Sequence, residues 1–322
     1  MRPDLGVLEG QALFTAGGRT YAWEDVLLAA ELRGELGALE RQTRQGLACV
    51  RRLESEGGAV QPEALRAAAT GFRYDHNLLA AEELEAWLSA HGLSITDWNG
   101  YLRRLLLRER WEHELVEIES GFAVADEDVA GALPAEAVCG RFLGRAGERL
   151  AEDAALAASN DSVEPGLDLA ALTRAAETVR ARIPSRAELE REIAAHALDW
   201  IRIEAETLEL ADVEAAREAA LCVRVDGRRL SDIAQDCGLA ARSLVLYLED
   251  ADAELRVALV SAGPGELIGP VERDGGHLLL HLQAKTEPST DDPELGRRAA
   301  DVLAARLVER ELRNRVLWHD RP

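Results

Sequence analysis

Hydrophobic residues recur with a helical period through most of the chain before residue 199. Between residues 24 and 54 apolar side chains return every three to four positions, which predicts an amphipathic helix with a weak point at Gly34 and Gly37. The same spacing predicts further helices, one ending near His91-Gly92 and others over "SITDWNGYLRRLLL", "LPAEAVCGRFLGRAGERLAEDAALA", "DLAALTRAAETVRARI" and "PSRAELEREIAAHALDW". The composition of "SNDSVEPG", residues 159–166, predicts a loop.

Two short stretches near the start of the chain are extended in character instead. Residues Ala12 to Thr15 and Thr20 to Ala22 flank Gly17-Gly18. A Gly-Gly pair between two such runs predicts a β-hairpin.

The pattern changes at Trp200, where apolar and polar residues begin to alternate in "WIRIEAETL". From there the chain predicts the order β-α-α-β-α-β-β, with the last two strands in "LIGPV" and "HLLLHLQAK". "TEPSTDDPE" then leads into a final helix predicted from Pro293 to Trp318. The fold class predicted from these patterns is α+β.

The balance of charge narrows the range of partners. The net charge is −22 and the pI about 4.8, so nucleic acid and anionic membrane surfaces are not expected partners.

No apolar run reaches the length of a signal peptide or a transmembrane helix, and we expect a cytoplasmic protein. Four widely spaced cysteines without a CxxC motif, Cys49, Cys139, Cys222 and Cys237, fit reduced thiols and predict no metal site; no cofactor is expected either.

One stretch carries a family resemblance. In "GPGELIGPVERDGGHLLLHLQAK", residues 263–285, the runs Gly265-Glu266, Gly269-Pro270-Val271 and Gly275-Gly276-His277 resemble the C-terminal signature of parvulin-type peptidyl-prolyl isomerases. The N-terminal "ALFTAGGRTYAWEDV" is similar to the hairpin and first helix of SurA-type foldases. The resemblance implies a mainly helical SurA-like chaperone domain, built from the N-terminal region and a C-terminal helix, with an inserted parvulin-like α+β domain.

The resemblance also implies a division of the chain. Residues 1–115 are predicted to form an N-terminal helical chaperone-like domain with a short hairpin, and residues 116–198 a helical connecting region. Residues 199–287 are predicted to form the parvulin-like domain. Residues 288–322 are predicted to form a helix that returns to the helical domain.

The site residues implied by the resemblance are incomplete. His277 matches the second histidine of a parvulin site, but the first falls near Trp200, where there is no histidine. Cys237 matches the cysteine or aspartate position only if the register slips, and Leu255 and Leu259 stand at the pocket aromatics. We therefore predict His277 and Cys237 as catalytic candidates, and binding residues that comprise Trp200, Tyr247, Leu255 and Leu259.

Each of these residues has a structural alternative that the sequence leaves open. His277 could equally hydrogen-bond within the strand core, and a buried thiol is the more common state of a cysteine such as Cys237. His277 and His281 share a strand face if no bulge intervenes, but no third ligand accompanies them, so no metal site is predicted. "GFRYDHN", residues 71–77, is more typical of a polar junction between helices than of a site.

Three functions follow as hypotheses. The first is a SurA-like chaperone, or peptide-maturation helper, with a degenerate parvulin-like domain; it would bind an unfolded or precursor peptide, and the resemblance implies a link to peptide-modifying enzymes, as in RiPP biosynthesis. The second is an active peptidyl-prolyl cis-trans isomerase, whose loss of polar site groups predicts weak or no activity. The third is a non-catalytic helical adaptor. The sequence leaves a homodimer open.

Overall fold

A computed structural model describes residues 1–160, 168–273 and 275–319. Residues 161–166 of the predicted loop, and Asp274, lie outside the described residues. The chain is α+β, with helices predominating, and it divides into two compact units. Unit 1 comprises Met1–Arg182 and Leu307–Pro322, and unit 2 comprises Ile183–Arg306.

Unit 1 is mainly helical. Its elements are β1 (Ala12–Ala16), β2 (Arg19–Ala22), α1 (Trp23–Leu32), α2 (Glu35–Ser55), α3 (Pro62–Asp75), α4 (Ala81–Ala90), α5 (Ile95–Arg110), α6 (Leu115–Gly121), α7 (Asp126–Cys139), α8 (Phe142–Ala158), α9 (Leu169–Arg180), the last turns of α14 (Pro293–Arg315) and β7 (Val316–Trp318). The predicted hairpin is confirmed, since Gly17 and Gly18 both have the positive φ that its turn requires. The predicted break after α1 is also confirmed, at Gly34 with φ 75°.

The helix expected over residues 133–157 is two helices, so that prediction was wrong. α7 ends at Cys139 and α8 begins at Phe142, because Arg141 adopts a left-handed backbone with φ 57°. Apolar spacing continues on both sides of the break, which is why periodicity alone did not locate it. α6 was not predicted.

The end of the chain also differs from the expectation of a helix to Trp318. α14 ends at Arg315, and β7 pairs antiparallel with β1 in a sheet of order β2-β1-β7. The Trp318 ring meets the Phe14 ring edge-on at 5.3 Å between centroids, and this contact adds to the main-chain pairing of β7 with β1.

The helices of unit 1 also bury an ionic group between them. The Glu136 carboxylate on α7 is 1% exposed and accepts from Arg104 Nε at 2.8 Å and from Arg108 Nη1 at 3.2 Å, both arginines being on α5. Arg108 Nη1 also donates to the Gln42 carbonyl of α2 at 2.9 Å. A buried carboxylate is stable only with such partners, so the three residues fix how α2, α5 and α7 pack.

Unit 2 confirms the predicted order β-α-α-β-α-β-β. Its elements are α10 (Arg186–Ala195), β3 (Arg202–Leu210), α11 (Val213–Arg224), α12 (Leu230–Asp236), β4 (Arg242–Tyr247), α13 (Ala253–Ser261), β5 (Leu267–Arg273), β6 (Gly276–Thr286) and the first turns of α14. The strands form one antiparallel sheet of order β4-β3-β6-β5, so β4 and β5 are its edges.

The two faces of this sheet pack against different helices. Ile203, Leu280 and Leu282 lie in one core with Leu255 and Leu259 of α13. Leu208, Leu210 and Leu279 lie in another core, with apolar residues of α11 and α12. Successive strand residues point to opposite faces, which is why neighbours such as Leu279 and Leu280 belong to different cores.

Candidate functional site

His277 lies on the face of the sheet that carries α11 and α12. On β6 it is two residues from Leu279, and no register shift separates residues 277 to 282 in the pairing with β3, so His277, Leu279 and His281 share that face. His277 stands opposite Leu210 of β3 and Glu272 of β5, and it is partly exposed. His281 Nε2 lies 3.2 Å from the Gly265 carbonyl.

Leu255 and Leu259 lie on the other face. Both are in α13, and their side chains are 2% and 0% exposed in the core with Leu280 and Leu282. The structure therefore separates the predicted pocket leucines from His277 by the thickness of the sheet. A site that used all three residues would need a different arrangement of the strand or the helix.

Cys237 stands apart from both groups. It follows α12 directly as its C-terminal cap and is exposed, and its thiol forms no hydrogen bond within the described part of the chain. In the described part of the chain, therefore, no hydrogen-bonded base is in place to remove the proton of this thiol. Among the described residues, no cluster of three or more metal-ligating side chains is present.

Trp200 and Tyr247 are the predicted binding residues that the structure brings together. They share a core with Ile193, Leu295 and Ala299, and Trp200, 1% exposed, stacks on His196 with centroids 4.4 Å apart.

Tyr247 also belongs to an ionic network. Its hydroxyl donates to Asp292 Oδ2 at 2.8 Å, and the Arg298 guanidinium lies over its ring at 4.4 Å. Burial, and then the bond to Asp292, raises the pKa of Tyr247 to about 12. Tyr247 also lines a cleft of about 560 Å³ whose wall contains the carboxylates of Glu287, Asp291 and Asp292.

The two edges of the sheet differ in how they are protected. On β5 the Arg224 guanidinium donates to the Leu267 carbonyl at 3.2 Å and to the Gly269 carbonyl at 2.8 Å, and Pro270 lacks an N–H. A capping arginine and a proline are devices that stop an edge strand from pairing further.

β4 has no such protection. It pairs with β3 over Arg242 to Tyr247, and within the described residues no group bonds to the backbone N–H and C=O groups of residues 243–246 that point away from β3. Val245 is 52% exposed. An unpaired edge of this kind is a template for one more strand.

Two carboxylates lie beside this open edge. Glu204 and Glu206 are alternate residues of β3 and stand opposite Val245 and Ser243 of β4, so all four side chains share a face. Glu204 pairs with Arg202 at 2.7 Å, whereas Glu206 has no ion pair in the described structure. Prediction from sequence missed this edge, although the alternation in "RIEAETLEL" already places acids on one face of the strand.

Neither a protein-family model nor a curated protein sequence matches the chain. Among solved structures, it is similar to the foldase PrsA of Streptococcus pneumoniae, with 10% identity and a TM-score of 0.28 over 94% of this chain and 93% of that chain. The foldase PrsA of Lactococcus lactis is 11% identical, with a TM-score of 0.29 over 96% of this chain and 95% of that chain. One of the SurA-like chaperones PEB4 and Cj1289 of Campylobacter jejuni is 10% identical, with a TM-score of 0.20 over 96% of this chain and 99% of that chain.

Because these identities and TM-scores are low, the chemistry of this protein is argued only from its own residues. No helix within the described ranges is long and apolar enough to cross a membrane.

Proposed function

We propose that the protein is a SurA-like peptide-binding chaperone that holds extended or unfolded peptide segments. The observation that carries the proposal is the unequal protection of the sheet in unit 2, where β5 is blocked by Arg224 and Pro270 while β4 is open. An extended peptide that pairs with β4 satisfies the free backbone groups through main-chain hydrogen bonds, which require no particular sequence. This is the chemistry that an unfolded client needs.

The side chains beside the edge favour a basic client. A lysine or arginine of the added strand reaches across the small Ser243 to Glu206, whose carboxylate has no ion pair of its own within the described structure. The net charge of −22 attracts a basic segment from a distance as well. The finer role that we propose is a cytoplasmic helper that presents a precursor peptide to peptide-modifying enzymes.

Isomerase activity is the alternative, and the geometry favours it less. Stabilising a twisted prolyl amide requires polar groups beside a dry pocket that holds the ring. His277 and the predicted pocket leucines Leu255 and Leu259 lie on opposite faces of the sheet, and both leucines are fully packed.

Matched charge variants test the proposal. We compare the affinity of a short alternating Lys-Thr peptide for wild type, Ser243→Lys on β4 and Gln283→Lys, an exposed position of β6 that is not on the edge. Each variant adds one positive charge, so the long-range electrostatic effect is the same. Strand addition predicts a loss of about tenfold or more for Ser243→Lys alone. Equal losses in both variants would refute binding at β4.

The peptide offers a second control. A version N-methylated at alternate residues keeps its charges but cannot donate the main-chain hydrogen bonds of a strand. The proposal predicts that methylation in one of the two registers abolishes binding. Unchanged affinity in both registers would show that the peptide binds by charge alone.

A further inference from the structure

Two helices of unit 1 end in the same seven-residue pattern. Residues 72–78, "FRYDHNL", end α3, and residues 87–93, "WLSAHGL", end α4. Each has an aromatic residue, a histidine four positions later, a residue with left-handed backbone and a leucine. The left-handed residues are Asn77, φ 53°, and Gly92, φ 67°. In both, the leucine N–H bonds back to a carbonyl of the last turn, which closes the helix end as a Schellman motif.

The histidine of each motif is held in one tautomer. His76 Nδ1–H donates to the Phe72 carbonyl at 2.9 Å, and His91 Nδ1–H donates to the Trp87 carbonyl at 2.7 Å. A carbonyl only accepts, so the proton of the neutral ring sits on Nδ1 and the lone pair on Nε2. Neither Nε2 has a hydrogen-bond partner in the described part of the chain. Burial lowers the pKa of His76, which keeps that ring neutral at pH 7.

Both imidazoles meet at Trp87. The ring centroids of His91 and His76 lie 4.3 Å and 5.3 Å from that of the Trp87 indole. The three rings line one side of a cleft of about 670 Å³. The cleft thus offers two nitrogen lone pairs and an aromatic face, all of which attract N–H donors and cations.

The backbone and the carboxylates around the cleft also attract cations. The C-terminal ends of α3 and α4 carry the partial negative charge of their helix dipoles. Asp75 and Glu148 line the cleft, and so do two cations, Arg141 and Arg145. Arg141 Nη2 donates to the Asp75 carbonyl at 2.7 Å, so the chain's own guanidinium already occupies the end of α3. No described cation is bonded to the end of α4.

We propose that this cleft binds a basic side chain of a peptide, an arginine guanidinium, at the end of α4. The guanidinium lies over Trp87 and donates to Nε2 of His91 and of His76. The guanidinium of Arg145, which has no hydrogen-bond partner among the residues that the structure describes, faces the carbonyl groups of the bound peptide. The site lies wholly within unit 1, so it goes beyond strand addition at β4 and does not depend on it.

A small probe separates this site from the peptide edge. The full chain is titrated with N-acetyl-arginine N-methylamide, which is too short to add a strand, while the ring signals of His76, His91 and Trp87 are followed by NMR. The citrulline analogue is the control ligand, because it keeps the shape and the N–H donors but has no charge. The proposal predicts saturable shifts of all three rings with the arginine probe and at least tenfold weaker binding of citrulline. Equal affinities would overturn it.

The protein variants are matched in the same way. His91→Asn keeps a side-chain N–H for the Trp87 carbonyl but removes the Nε2 acceptor, and His76→Asn does the same at the other motif. His113→Asn, at an exposed histidine on the surface of unit 1, is the control. We expect each cleft variant to weaken the arginine probe about tenfold and the control to leave it unchanged. Variants at both motifs that melt like wild type and bind the probe equally well would refute the assignment.

Discussion

Replacing Glu136 by glutamine tests whether the buried ionic group holds unit 1 together. The substitution keeps the shape of the side chain but leaves Arg104 and Arg108, 7% and 8% exposed, without a counter-charge. Removing one partner of a buried ion pair typically costs about 3–5 kcal/mol. In a unit of this size each kcal/mol lowers Tm by roughly 2–4 °C, so we expect a fall of roughly 10 °C.

Tryptophan fluorescence during thermal unfolding measures this effect. Five of the six tryptophans (Trp23, Trp87, Trp98, Trp111 and Trp318) lie in unit 1, so the signal reports mainly on that unit. Glu63→Gln is the control, because the Glu63–Arg66 pair is about three-quarters exposed and a surface pair contributes at most about 1 kcal/mol.

A triple substitution adds a second comparison. Arg104→Met, Arg108→Met and Glu136→Leu together remove every charge of the group, and we expect them to recover most of the lost stability. The reasoning is wrong if Glu136→Gln melts within 2 °C of Glu63→Gln.

Two further results are expected. Ending the chain at Arg315 removes β7 and the Phe14–Trp318 contact, and should destabilise unit 1 by about 2–4 kcal/mol in urea titrations. Truncation after His319 keeps the bond from the His319 N–H to the Leu13 carbonyl and should have no effect; equal stabilities of the two truncated chains would contradict a role for β7. Tyr247→Phe should lose the bond to Asp292 and cost about 1 kcal/mol at neutral pH. Because the folded pKa of Tyr247 is raised to about 12, wild type should lose its advantage as the pH rises from 10 to 12, whereas a difference that is constant over that range would argue against the bond.

Local patterns predicted much of the fold. The hairpin at Gly17-Gly18, the break at Gly34 and the strand and helix order of unit 2 all follow from turn residues and hydrophobic period. Each depends on a few neighbouring residues. Sequence alone can therefore locate them.

Features that depend on distant residues were missed. β7 is a strand only because β1 lies beside it, and its three residues continue the helical pattern of α14. The separation of His277 from Leu259 depends on which face each helix covers, which no local spacing encodes. The open edge of β4 likewise depends on the strand order β4-β3-β6-β5, which puts β4 at one edge of the sheet and which no local spacing encodes.

Amide hydrogen exchange at β4 tests the central claim, peptide binding by strand addition, most directly. Exchange rates of residues 242–247 are measured with and without a saturating alternating Lys-Thr peptide. The alternate amides of β4 that point away from β3 have no partner among the described residues, and strand addition should slow their exchange at least tenfold while those of β5 are unchanged. Unchanged exchange at β4 with the peptide bound would contradict the account.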